Sequence, residues 1–317
     1  MNAQSLADIA GTARPIRMKY GLMRLPDVIG IGPPRTGSTW LYNALRDSVD
    51  MPYGAKDTHF LDYFDQKGID WYANHFRYAS GKRKIVEICP GAFFKPRARE
   101  LIKTHIPHCK IIATMRDPVD RTYSVYKLLR RYGWVRSGTF DEILNAWPNL
   151  GAGNRYAEHL KAWFESFGRE NVLVTIYNEL RTDPQIYVNR VCDFIGVDRV
   201  ALAPHSDLTS DVNSYARAPK NRRLARRATA VFNWLNGHQA YHVLNALERA
   251  GVWEFCQGRG EIYPRLTPEQ EKRLRERFLP EVEALEELLG IDLSSWKEPR
   301  AARGLPKDSR PSRLALG

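Results

Sequence analysis

The chain has 317 residues, 43% of them hydrophobic, enough for one large α/β domain with a helical extension rather than two small domains. Its 48 Lys+Arg against 36 Asp+Glu leave a net charge of +12, a field suited to a polyanionic ligand, to nucleic acid or to an anionic membrane surface. Four widely spaced cysteines, Cys89, Cys109, Cys192 and Cys256, show no C-x-x-C and no histidine partners, which excludes a zinc module and points to a reducing compartment.

Residues 1–20 carry no long apolar run, and no N-x-[ST] sequon occurs, so a flexible N-terminus and a cytoplasmic protein are expected. Apolar runs at 27–32, 84–89, 110–116 and 171–177 read as parallel strands. Helix-period segments lie between and after them at 38–47, 96–105, 118–132, 154–167, 184–195 and 268–289. Strands alternating with helices predict a three-layer α/β fold, a central parallel sheet flanked by helices on both faces, with a helical C-terminal extension. One domain over 21–297 is expected, followed by a mobile basic tail at 298–317 rich in Pro, Arg, Gly and Ser. No internal repeat is visible.

The first strand runs through Gly32-Pro33-Pro34-Arg35-Thr36-Gly37 into Ser38-Thr39-Trp40-Leu41. Two glycines bracketing a short turn before a helix start form a phosphate cradle, because backbone N–H groups and the positive end of the helix dipole converge there. The fold is therefore P-loop-like. The loop departs from G-x-x-x-x-G-K-[ST]: Ser38 follows the second glycine, and the fixed cation is Arg35, inside the loop. The third strand runs into Arg116-Asp117-Pro118, so a cation ends it where a nucleoside triphosphatase would place a metal-holding acid. Asp117 with Pro118 reads as a helix N-cap with Pro at the first helical position.

These two blocks together resemble the sulfotransferases that take their sulfo group from 3′-phosphoadenosine 5′-phosphosulfate (PAPS), in which Lys is usual where this chain has Arg35. The resemblance implies that Arg35, Thr36, Gly37, Ser38, Thr39 and Trp40 hold the 5′-phosphosulfate and that Arg116 and Ser124 hold the 3′-phosphate, with no metal. Arg35 keeps its charge and is a poor proton donor, which assigns it electrostatics and orientation. Tyr177 falls where a Tyr often contacts adenine, although core packing is an equal reading. The segment 217–227, the densest positive patch, stands where a basic lid closes over the 3′-phosphate in this family, making Arg217, Lys220 and Arg222 candidate donor ligands. A solvated charged face and a membrane-surface helix are the alternatives for it. If helical, it would turn Leu224, Ala228, Val231 and Leu235 to one face and Arg222, Arg223, Arg226 and Arg227 to the other.

Lys56-Asp57-Thr58-His59-Phe60-Leu61 resembles the K-E-x-H-F-F stretch of the heparan-sulfate-modifying branch and its bacterial relatives, where the Glu is the base. The resemblance places Asp57 in that role, with His59 sharing it or orienting its neighbours. Val86-Glu87-Ile88-Cys89-Pro90 is similar to that branch's V-E-K-T-P, with Ile88 in place of the Lys, leaving Glu87 as an acceptor-site acid or one half of a structural ion pair. Lys103-Thr104-His105-Ile106-Pro107 looks like the K-T-H-L-P of the cytosolic enzymes, but His105 ends a helix just before the third strand and is placed for packing or capping. The reading is a bacterial-type sulfotransferase acting on a small-molecule, glycolipid or carbohydrate acceptor gripped by variable loops at 48–56 and 136–153. A nucleotide kinase, opposed by Ser38 and the missing acid, and a basic nucleic-acid-binding protein are the competing classes.

Overall fold

The computed structural model describes residues 16–18, 21–135, 139–146, 150–202, 217–258 and 260–299. A short antiparallel hairpin, β1 (Ile16–Met18) and β2 (Gly21–Met23), enters the stretch expected to be flexible. The rest of 1–20 and the tail beyond 299 lie outside the described residues. The chain then forms β3 (Val28–Ile31), α1 (Ser38–Leu45), α2 (Ile69–Ala73), β4 (Val86–Ile88) and α3 (Pro96–His105). Next come β5 (Lys110–Met115), α4 (Pro118–Arg131), α5 (Phe140–Ala146), α6 (Tyr156–Phe167), β6 (Val172–Ile176), α7 (Tyr177–Thr182) and α8 (Pro184–Ile195). The C-terminal part holds α9 (Arg222–Gly237), α10 (Tyr241–Arg249), α11 (Val252–Gln257), α12 (Pro268–Leu289) and α13 (Ser294–Lys297).

The main sheet has the order β4-β3-β5-β6, all parallel, with Val28 opposite both Val86 and Lys110, and Ile111 opposite Val172. Alternate residues of each strand serve opposite faces. Ile29, Ile31, Ile111, Ala113 and Met115 pack with Phe93, Trp163 and Trp296 on one side. Val28, Val86, Ile88 and Ile112 pack with Trp40, Leu41, Val188 and Val191 on the other. Both faces are therefore dry, as a parallel sheet requires. Residues of α4, α5 and α12, among them Tyr126, Phe140 and Phe278, form a third cluster, and Leu235, Tyr241 and Leu244 a fourth.

Because β3 connects to β4 on one side and β5 lies on the other, chain direction reverses beside the carboxyl ends of β3 and β5, the place where open α/β sheets bind ligands. The N-cap read from the sequence at Asp117 is present: its carboxylate accepts from Val119 N (2.8 Å) and Asp120 N (3.4 Å), and Arg275 Nη1 donates to it at 3.3 Å. That buried ion pair ties α12 to the end of β5.

Candidate active site

The loop after β3 is shaped by three left-handed residues, Gly32 (φ 134°), Arg35 (φ 81°) and Gly37 (φ 104°). At Gly32 the backbone presses on β5 so closely that a Cβ would lie 2.4 Å from Thr114 Oγ1 and 2.6 Å from Thr114 O. Thr36, buried, donates to Pro33 O at 2.9 Å and shares a hydrogen bond with Thr114 Oγ1 at 2.6 Å, so its side chain serves the loop. The Trp40 ring is in the core, edge-on to Tyr187 at 5.6 Å, leaving its backbone N–H to the cradle. The half-buried Ser38 and Thr39 hydroxyls accept from Lys56 Nζ at 3.4 and 3.0 Å.

The two motifs meet in space. Arg35 Nε donates to Ser124 Oγ at 2.8 Å, and Arg116 Nη1 donates to Arg35 O at 3.1 Å. The Arg116 guanidinium also lies over the Tyr177 ring, 4.6 Å from its centroid. Tyr177 opens α7, and a Cβ on Gly37 would come within 3.1 Å of its ring. Arg116 Nε is buried with no hydrogen-bond partner among the described residues, a donor that an incoming anion would satisfy. Arg217 and Lys220 precede α9 and Arg222 opens it. Arg217 Nη1 donates to Gly260 O (3.2 Å), Arg222 Nη1 donates to Gly133 O (3.3 Å), and Lys220 is exposed ahead of α9. Gly133 lies just past the end of α4, two residues beyond Arg131.

The acid–base cluster is hung from a buried carboxylate. Glu87, on β4 and fully buried, accepts from Thr58 Oγ1 (2.5 Å), Thr58 N (3.1 Å) and Tyr72 OH (2.5 Å). Among the described residues it makes no ion pair; its hydrogen bonds fix Thr58 and so present Asp57 and His59 on either side. Asp57 Oδ1 accepts from His59 N at 2.9 Å, and His59 Nδ1 lies 3.1 Å from Asp62 Oδ1 and 3.6 Å from Asp57 Oδ2. Lys95 Nζ donates to Asp62 O. Burial would lower the His59 imidazole, yet the charges of Asp57 and Asp62 outweigh it and hold it at about 9. Burial raises the Asp57 carboxyl against the pull of His59. At neutral pH the imidazole is therefore protonated, held between Asp57 and Asp62. Burial, then repulsion from Asp57, brings Glu87 to about 7 despite its hydrogen bonds. Burial, and after it the surrounding carboxylates, hold the Cys89 thiol well above its ordinary value. Among the described residues, Asp57, Asp62 and Cys89 are the group whose donor atoms, within 4.8 Å of one another, have metal-ligand spacing.

A family model, that of the sulfotransferase domain, matches residues 25–288. The chain belongs to that family. Among curated proteins this sulfotransferase is 28% identical over 196 residues to the human bifunctional heparan sulfate N-deacetylase/N-sulfotransferase 3, covering 55% of this chain and 22% of that one. It is 29% identical over 199 residues to the human heparan sulfate glucosamine 3-O-sulfotransferase 6, covering 60% and 58%. The chain thus spans well under two thirds of the length of each. Among solved structures, a sulfotransferase from Alicyclobacillus acidocaldarius matches with a TM-score of 0.60 at 21% identity, over 86% of this chain and 99% of that one, a likeness of fold. Family membership sets aside the kinase and nucleic-acid readings.

Sequence reasoning passed over Lys56, whose ammonium ties the segment before Asp57 to Ser38 and Thr39, and Asp62, the second carboxylate on His59. The K-D-x-H-x-x-D spacing was the available signal for both. Ile88, standing where the related segment has Lys, is buried against Gly30, so β4 supplies no cation at that position.

Proposed function

We propose that the chain transfers the sulfo group of PAPS to a hydroxyl or amine of a small-molecule, glycolipid or carbohydrate acceptor. The observation that carries this is the joining of Arg35, Arg116 and Ser124 in one cationic seat beside a loop whose hydroxyls hold Lys56, next in sequence to the half-buried Asp57. Arg116 and Ser124 grip the 3′-phosphate, with Arg35 reaching into the same seat, and Tyr177 flanks the adenine. Ser38, Thr39, the N–H groups that begin α1 and Lys56 Nζ face the 5′-phosphosulfate, where they offset the charge gathering on the leaving phosphate oxygen.

Asp57 removes the acceptor proton while the acceptor oxygen or nitrogen bonds to sulfur and the bond from sulfur to the 5′-phosphate oxygen breaks. The products are the sulfated acceptor and 3′-phosphoadenosine 5′-phosphate (PAP). His59, already protonated at neutral pH, orients Asp57 and contributes positive charge, which makes Asp57 the base of the pair. Isothermal calorimetry with PAP against ADP, which lacks the 3′-phosphate, tests the reading. Tight PAP binding with weak ADP binding is expected; equal binding of the two, or none of either, would sink the Arg116/Ser124 assignment.

A further inference from the structure

The helix expected to set Leu224, Ala228, Val231 and Leu235 on one face does not bury that face as a whole. Ala225, Thr229, Leu235 and Asn236 are buried, while Leu224 and Val231 are 38% and 50% exposed. The cause is a close backbone approach. A Cβ on Gly133 would lie 2.6 Å from Arg222 O, Thr229 Oγ1 donates to Tyr132 O at 3.4 Å, and Gln257 Nε2 donates to Thr229 Oγ1 at 3.1 Å, so the small residues of α9 face the end of α4. The larger apolar residues are left on the outside.

At helical spacing, Leu224, Arg227, Val231 and Trp234 follow one another at intervals of three, four and three residues and form one outward stripe. Trp234 is 61% exposed. Arg223 and Arg226 flank the stripe, and neither they nor Arg227 makes a salt bridge among the described residues. Arg222, Arg223, Arg226, Arg227 and Ala230 line a single depression at its N-terminal end.

We propose that α9 docks the protein on an anionic lipid surface through this stripe. A soluble polyanion would need only the arginines; an exposed Trp, Val and Leu interleaved with them ask for an apolar phase directly beneath a layer of negative charge. An anionic bilayer offers both, with phosphate headgroups for the guanidinium groups and the acyl boundary for Trp234, Val231 and Leu224. The chain's charge of +12 adds long-range attraction to the same surface. Among the described residues no helix is long and apolar enough to cross a membrane, so the contact is interfacial. The C-terminal end of α9 abuts the segment after Asp57 and His59, Gly237 against the Phe64 ring, so docking holds that segment close to the lipid. The docking itself stands apart from the proposed reaction.

The test is flotation of the full chain with vesicles of phosphatidylcholine alone and of phosphatidylcholine mixed with phosphatidylglycerol, at low and high salt. Binding to the anionic vesicles that weakens with salt is expected. Each arginine near such a surface multiplies binding about fivefold, so Arg223→Glu/Arg227→Glu should lower it by at least about 25-fold. Trp234→Ala should lower it several-fold. PAP binding and the circular dichroism of both variants should match wild type, which separates lost docking from lost fold or lost donor site. Wild type that fails to float, or a charge variant that floats like wild type, would overturn the proposal. So would sensitivity to the charge reversal without sensitivity to Trp234→Ala, an outcome that makes the stripe a seat for soluble polyanions.

Discussion

Replacing Asp57 by Asn keeps the shape and the acceptor atom for His59 N while removing the charge, so the substitution isolates what the carboxylate does. Asp57 Oδ2 lies 3.6 Å from His59 Nδ1. At an effective dielectric of about 20 that separation is worth about 5 kcal/mol, or roughly three pH units. The imidazole is 30% exposed and keeps Asp62, so a drop of roughly two units is expected after screening, from about 9 to near neutrality. NMR titration of the His59 ring reads this directly. Loss of a positioned base lowers turnover by about 10²- to 10⁴-fold, measured as PAP release with an accepted acceptor, while PAP affinity by calorimetry stays at the wild-type value. Turnover near wild type would remove Asp57 as the base. A His59 that still titrates near 9 would show that Asp62 alone sets its charge. A parallel fall in PAP affinity would mean that the loop 56–60 had shifted and that the effect was positional.

Two further outcomes test the donor side. Arg116→Ala removes a guanidinium stacked 4.6 Å from Tyr177 and hydrogen-bonded to Arg35 O, and PAP affinity should fall about 10- to 100-fold with ADP affinity unchanged; calorimetry that shows both nucleotides weakened equally would contradict a 3′-phosphate role. Gly32→Ala forces a Cβ to within 2.8 Å of three Thr114 atoms at φ 134°, so thermal unfolding should occur at lower temperature and PAP binding should be lost; a variant with wild-type stability would show that the loop is free to move off β5.

Much of this arrangement was legible in the sequence, because it is local. The four strands and the helices Pro96–His105, Pro184–Ile195 and Pro268–Leu289 follow from apolar period and a Pro at the first helical position. The Arg35–Ser124 contact was reachable only through the paired motifs, since 89 residues separate its partners. Tyr177 was absorbed into the end of a strand run, which hid the short helix it begins. The role of Glu87 was not legible, because Thr58 and Tyr72 reach it from segments whose positions depend on tertiary structure. The facing of α9 failed for a similar reason: hydrophobicity set Leu224 and Val231 on one face with Leu235, but Gly133 draws the small residues in instead.

Two buried groups that meet Tyr72, His75 at its carbonyl and Glu87 at its hydroxyl, titrate in opposite senses within one pH window, and together they make a sharp test of how that region is held. His75, whose ring spans Trp71 O (3.0 Å) and Tyr241 OH (2.6 Å), is lowered by burial from 6.5 to about 4. Its contribution to stability is present above pH 6.5 and is lost as pH falls through 4. Glu87 is raised by burial from 4.5 to about 7, so its contribution is present below pH 4.5 and is lost as pH rises through 7. Each amounts to about 3 kcal/mol over its window, and between pH 4.5 and 6.5 the two slopes cancel. The stability of His75→Gln in urea unfolding, taken as the difference from wild type, should therefore fall as pH rises from 4 to 6.5, where wild type gains the His75 contribution and the variant does not. The same difference for Glu87→Gln should rise from pH 4.5 to 7 and favour the variant above pH 7, less whatever the amide loses toward Tyr72. His59, whose contribution is lost only as pH rises from 6.5 through about 9, lies outside the shared range and does not mask either effect. Differences that run parallel to wild type in both variants would mean that neither group titrates where its burial implies. If Glu87→Gln gains stability at pH 8 yet loses turnover, the buried acid is kept at a cost to the fold because its three hydrogen bonds set Thr58, and through it Asp57 and His59, in place.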